Sequence, residues 1–171
     1  MLQQPAEAAS PPVAAIAPPS VHTYRFLLVD DDPFVSMVLQ ALVLDQERPT
    51  LKLEVSCCAT RTECLEQLEE SAFAVQPFDV MLLDYDLDDD VQDGGLEVLD
   101  TIRGTDEAGT PTYPWLSGMR IIMMSGEEIE DQDAIRTALR VESFLLKPVT
   151  ARQLASIIDA WVMPAAAEPA S

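Results

Sequence analysis

Basic side chains are scarce. Ten Lys and Arg stand against thirty Asp and Glu in 171 residues, a formal net charge of −20. Nucleic acid and anionic membranes both demand a basic surface, so direct binding to either is excluded. The balance suits solubility, divalent cations and basic partners. No apolar run approaches the length of a membrane span. Met1 to Ser20 lack the basic and apolar regions of a secretory signal. Cysteine is limited to Cys57, Cys58 and Cys64, an odd number in one short stretch, which excludes a disulfide framework. The only histidine is His22, so a four-ligand zinc site has no donor set. Reduced, buried thiols are expected, and with them a cytoplasmic location.

What remains is one domain with two tails. Residues 1–20 hold Pro5, Pro11, Pro12, Pro18 and Pro19 among Ala, Ser and Gln, and 164–171 have a similar make-up. Such composition cannot build a core and reads as disordered. Residues 21–163 alternate strand and helix. Tyr24–Val29, Leu51–Ala59, Asp79–Leu83, Arg120–Met124 and Ser143–Leu146 are short apolar runs of strand length. Between them, Asp32 caps a helix with Pro33 at its first position. Phe34, Met37, Val38, Ala41 and Leu42 fall at helical spacing. Thr60-Arg61-Thr62-Glu63 has the form of a capping box, before an apolar face of Cys64, Leu65 and Leu68. Leu96, Leu99 and Ile102 mark a third helix, Ile129 to Leu139 a fourth, and Leu154, Ile157, Ile158 and Trp161 a fifth. The stretch 104–118, with Pro111 and Pro114, reads as a loop.

Five strands alternating with five helices imply an α/β fold with a doubly wound parallel sheet and right-handed crossovers. The expected strand order is 2-1-3-4-5, with a crevice where the order reverses, between the first and third strands. All strand ends then lie along one edge. Asp30, Asp31 and Asp32 follow the first strand, Asp84 the third, Ser125 the fourth and Lys147 the fifth. Carboxylates gathered in one crevice repel unless a cation joins them, and oxygen-only donors favour Mg2+. An ammonium, a hydroxyl and a metal beside a carboxylate nucleophile are the parts phosphoryl transfer requires. Asp32 is read as the helix cap rather than as a ligand.

The chain thereby resembles the response regulator receiver domain, of the CheY-like, flavodoxin-like kind. Leu27-Leu28-Val29-Asp30-Asp31-Asp32-Pro33 resembles its acidic-pair motif and Phe78-Asp79-Val80-Met81-Leu82-Leu83-Asp84 its phosphoacceptor strand. Gly95-Leu96-Glu97-Val98-Leu99 resembles the start of its third helix. Met123-Met124-Ser125-Gly126 and Phe144-Leu145-Leu146-Lys147-Pro148 resemble its hydroxyl and lysine motifs. The resemblance spans about Tyr24 to Met163. It implies that Asp84 is the phosphorylation site, that Asp31 ligates Mg2+ directly and Asp30 mainly through water, and that the Asp86 backbone carbonyl completes the protein ligands. It implies that Lys147 pairs with the acceptor carboxylate and then with the phosphoryl group. Ser125 would move toward a phosphoryl oxygen, Phe144 would change rotamer in response, and the bond before Pro148 would be cis. The implied partners are a histidine kinase or histidine phosphotransfer protein upstream and a protein target downstream, with room for a phosphorylation-dependent homodimer. Such a protein is a phosphoacceptor of a two-component phosphorelay, able to phosphorylate and dephosphorylate itself but not a turnover enzyme. No output domain is expected after Met163.

Two features depart from the pattern. The stretch 85–93 is long and very acidic, and 104–119 carries extra chain with Tyr113 and Trp115. Two rival readings compete. An aspartate phosphohydrolase of the haloacid dehalogenase type would use Asp84 and Asp86 as paired aspartates, but that family places its nucleophile near the first strand. A receiver-fold adaptor would act without phosphorylation.

Overall fold

The computed structural model describes residues 21–74, 76–87, 94–105 and 107–162. The expected tails 1–20 and 164–171, and the 88–93 part of the acidic loop, lie outside the described residues. The elements in chain order are β1 (His22–Val29), α1 (Pro33–Leu44), β2 (Leu51–Cys58), α2 (Arg61–Phe73), β3 (Val80–Asp84), α3 (Gly94–Arg103), β4 (Arg120–Ser125), α4 (Gln132–Leu139), β5 (Ser143–Leu146) and α5 (Ala151–Val162). A short 3-10 turn, Pro114–Leu116, precedes β4. Among the described residues, no helix is long and apolar enough to cross a membrane.

The sheet has five strands in the order β2-β1-β3-β4-β5, and every pairing is parallel. Its strands read as continuous apolar runs because both faces are covered. Side chains alternate across each strand. Leu27, Val29, Met81, Leu83, Ile121 and Met123 pack with residues of α2 and α3 in one core layer. Phe26, Leu28, Val80, Leu82, Ile122 and Met124 pack with α1 and α5 in the other. Each such fully buried side chain contributes about 1.5–3 kcal/mol relative to exposure.

The helix starts follow their local chemistry. Asp32 Oδ1 accepts from the backbone N–H of Phe34 at 2.7 Å and of Val35 at 3.3 Å, and so caps α1. Thr60 Oγ1 accepts from Glu63 N–H at 3.2 Å. The Glu63 carboxylate reaches back to the Ala59 N–H, at 2.8 Å, one residue before the cap.

Three expectations need correction. The buried residues of α1 are Ser36, Leu39 and Val43. Phe34, Met37 and Val38 are exposed. The helix is apolar nearly all round, so more than one stripe satisfied the spacing. α4 begins at Gln132 rather than Ile129, because Asp131 sits in the left-handed region at φ 55° and breaks the helical path there. Of the three thiols expected to be buried, Cys57 is exposed, since it faces away from its buried neighbour Cys58 on β2. The loop before β4 carries an antiparallel bridge between Thr105 and Pro111 and then the 3-10 turn.

Candidate phosphoacceptor and metal site

The register of the sheet assembles the site. Val29 pairs with Leu83, so Asp30, the next residue after β1, arrives beside Asp84, which ends β3. Ser125 pairs with Leu146, so Lys147 follows at the same edge. Backbone bonds carry the ladder past the strand ends: Tyr85 N–H donates to Met124 O at 2.7 Å, Lys147 N–H to Ser125 O at 2.7 Å, and Asp30 N–H to Cys58 O at 3.2 Å. The Lys147–Pro148 peptide bond is cis, as the motif implied.

Four of the expected site residues converge. Asp30, Asp31 and Asp84 each offer a carboxylate oxygen within 4.8 Å of the others. Lys147 Nζ lies 2.8 Å from Asp30 Oδ2 and 2.8 Å from Asp84 Oδ2. The contact with Asp30 is a short ion pair to a fully buried carboxylate. The Asp84 Oδ1 atom is buried and has no hydrogen-bond partner among the described residues. The Asp30 side chain is fully buried, and its Oδ1 accepts from Asp32 N–H at 3.0 Å.

Three carboxylates and one ammonium leave a formal charge of −2 in a largely desolvated crevice. Burial pushes the Asp30 and Asp84 carboxyls above the ordinary carboxylate range. The Lys147 ammonium opposes this in both without cancelling it, and the Asp86 N–H also helps hold the Asp84 charge. Burial alone would lower Lys147, but the two carboxylates outweigh it and raise its pKa. A divalent cation matches both the charge and the oxygen donors, and the unpartnered Asp84 Oδ1 supplies a free lone pair. The residues therefore fit Mg2+.

Ser125 and Asp86 line the adjoining cleft, of about 710 Å³, whose rim also carries Glu127, Glu128 and Glu130. Ser125 is buried, and its Oγ accepts from Glu127 N–H at 3.1 Å. Asp86 is exposed at the turn after β3. Phe144 stands apart from the carboxylates. It lines a smaller cavity of about 170 Å³ that Ser125 also borders. Its half-buried ring packs on the α2–α3 core layer, and the Arg136 guanidinium lies 5.9 Å from its centroid.

Sequence reasoning missed two supports. Ser36, a buried hydroxyl on α1, donates to the Asp30 carbonyl at 3.3 Å and ties the helix to the acidic turn. Its signal was a small polar residue inside an otherwise largely apolar helix. Gly94 and Gly95 let α3 start hard against the chain leaving β3. A Cβ on Gly95 would stand 2.1 Å from the Asp84 carbonyl oxygen, and one on Gly94 would stand 1.8 Å from that of Leu87.

Comparison with known proteins agrees with this fold. No curated protein matches the chain. Solved structures do. A CheY-like response regulator receiver domain protein from Methanospirillum hungatei JF-1 is 23% identical, with a TM-score of 0.60 over 82% of this chain and 94% of that one. The phosphorylated cyanobacterial phytochrome response regulator RcpA is 21% identical, with a TM-score of 0.60 over 82% and 91%. The Mn(2+)-bound form of response regulator Rcp1 is 22% identical, with a TM-score of 0.59 over 81% and 94%. At these identities the likeness speaks for the fold. The family model of the response regulator receiver domain matches residues 26–159, most of the chain, and with the acidic crevice at the end of β1 and β3 it makes this protein a member of the response regulator receiver domain family.

Proposed function

We propose that Asp84 accepts a phosphoryl group from a phosphohistidine, presented by a histidine kinase or histidine phosphotransfer protein, and that this changes a partner-binding surface. The observation that carries the reading is the state of the Asp84 carboxylate. One oxygen is 2.8 Å from Lys147 and the other is buried with no hydrogen-bond partner among the described residues, and the carboxylate offers an oxygen within 4.8 Å of donors on Asp30 and Asp31. In the transfer, an Asp84 oxygen bonds to phosphorus, the phosphorus–nitrogen bond breaks, and the electron pair returns to the imidazole of the donor.

Asp31, Asp30 through water, Asp84 and the Asp86 carbonyl are the residues that would hold Mg2+. Bound there, the ion supplies positive charge against the oxygens of the incoming group. Lys147, 2.8 Å from the Asp84 carboxylate, would pass from it to a phosphoryl oxygen. Ser125 would exchange its bond with Glu127 N–H for one to the phosphoryl group. Phe144, beside the cavity that Ser125 borders, would follow. The surface that changes is α4, β5 and α5, where Leu146 is 49% exposed. Relatives described as phosphorylated and as Mn(2+)-bound support both halves of this reading.

The test is incubation with acetyl phosphate and Mg2+, followed by intact mass. Wild type gains one phosphoryl group, and Asp84→Asn and an EDTA-treated sample gain none. No uptake by wild type, or equal uptake by Asp84→Asn, overturns the assignment. Multiple turnover of a small phosphomonoester would instead favour the phosphohydrolase reading. Full partner binding by Asp84→Asn would favour the adaptor.

A further inference from the structure

The excursion between α3 and β4 is held firmly to the domain. Arg103, in the last turn of α3, donates from its two terminal nitrogens to the carbonyls of Leu116 and Met119, each at 2.8 Å. Leu116 is fully buried. Above this anchor, the Tyr113 and Trp115 rings meet edge to face at 5.3 Å. The Tyr113 hydroxyl donates to Glu69 Oε1 at 3.5 Å. With the end of α2 these rings form a groove of about 410 Å³, lined by Glu69, Ala72, Phe73, Thr112, Tyr113 and Trp115. Phe73 is 88% exposed and Trp115 41%. An aromatic groove that the described residues leave open is the mark of a surface that something covers.

Aromatic-lined grooves take proline-rich segments in the polyproline II conformation, which is extended before it binds and loses little entropy. This chain carries such a segment. Pro11-Pro12 and Pro18-Pro19 bracket Val13-Ala14-Ala15-Ile16-Ala17, and the segment joins β1 after Ser20. The strands are parallel and α2 returns against them, so the end of α2 and the exit from α3 lie at the same sheet edge as the start of β1. Twenty residues at about 3.1 Å each span roughly 60 Å, more than the width of the domain. Charge points to the same occupant. Residues 1–20 carry a single ionisable side chain, Glu7, so they approach Glu69 with little repulsion. A second copy would bring a net charge of −20 against an equal one.

We propose that Pro11–Pro19 of this same chain docks across the Phe73–Tyr113–Trp115 groove. The tether gives the segment an effective concentration in the millimolar range, enough for a weak contact to be occupied. A partner with a proline-rich segment would have to displace it.

The experiment titrates a labelled peptide of residues 9–20 into full-length protein and follows its anisotropy. It should bind the Pro11→Ala/Pro12→Ala/Pro18→Ala/Pro19→Ala chain and bind wild type roughly tenfold more weakly, since the native segment competes. Adding Trp115→Ala, or Phe73→Ala whose exposed ring is not needed for folding, to the four-proline variant should abolish binding. Absence of binding to the four-proline variant overturns the proposal. So does equal binding to that variant and wild type, which would leave the groove to a partner. A Trp115-dependent dimer in sedimentation also overturns it and makes a second copy the occupant.

Discussion

Lys147 Nζ lies 2.8 Å from Asp84 Oδ2, yet Asp84 Oδ1 is buried without a hydrogen-bond partner among the described residues. The Asp84 carboxylate is therefore half satisfied, and Asp30 draws on the same ammonium. Such a site costs stability in the metal-free protein, which a bound cation would restore. Asp84→Asn should accordingly raise metal-free stability in urea unfolding at pH 7. Magnesium should stabilise wild type by mass action and the variant much less.

The pH dependence of that gap has a definite sign. Burial raises the Asp84 pKa above its unfolded value. The associated stability is fully present below the unfolded carboxylate value, about pH 4, and is lost as pH rises through the higher folded value. In EDTA, the advantage of Asp84→Asn over wild type should thus be small near pH 4 and grow toward neutrality. A gap that shrinks with rising pH would mean that Lys147 overrides burial. Urea midpoints measured across this range for both proteins decide the matter.

Removing the ammonium has the opposite effect from removing the charge it faces. Lys147→Met leaves Asp30 and Asp84 side by side, both buried. Breaking a buried pair in this way costs about 3–5 kcal/mol. The loss should be visible in EDTA and partly restored by magnesium. Phosphoryl uptake from acetyl phosphate should fall sharply even when magnesium holds the fold together.

Asp32 tests whether the third aspartate of the run belongs to the site. Its side chain caps α1 through Phe34 and Val35, and only its backbone N–H reaches Asp30. Asp32→Ala should cost about 1 kcal/mol of stability and leave phosphoryl uptake in place. Loss of uptake with unchanged stability would reverse the assignment.

The strand ends were legible because apolar runs of strand length are followed directly by Asp30, Asp84, Ser125 and Lys147, and a parallel sheet brings every such end to one edge. The inward face of α1 was not legible. Phe34, Val35, Met37, Val38, Leu39, Leu42 and Val43 crowd twelve residues, so helical periodicity has no polar face to contrast with. The anchoring of 104–119 was equally hidden, because Arg103 grips backbone carbonyls, which leave no trace in residue type. Leu39→Ala should cost about 2–5 kcal/mol and Met37→Ala less than about 0.5 kcal/mol, as measured by chemical unfolding.

Gly95 brings the backbone of α3 against that of Asp84. Its N–H donates to the Tyr85 carbonyl at 3.0 Å, and an added Cβ would stand 2.1 Å from the Asp84 carbonyl oxygen and 3.0 Å from Tyr85 Cα. These are main-chain atoms, so no side-chain rotation can relieve the clash. Either α3 backs away or the end of β3 shifts, and both move the turn that carries Asp84 and Asp86. Gly95→Ala should therefore cost about 1–3 kcal/mol or more and weaken magnesium binding in calorimetric titration. Gly118→Ala, where a Cβ meets nothing within 4 Å, is the matched control and should change neither. Normal magnesium affinity in a folded Gly95→Ala protein would show that the turn carrying Asp84 does not depend on this approach.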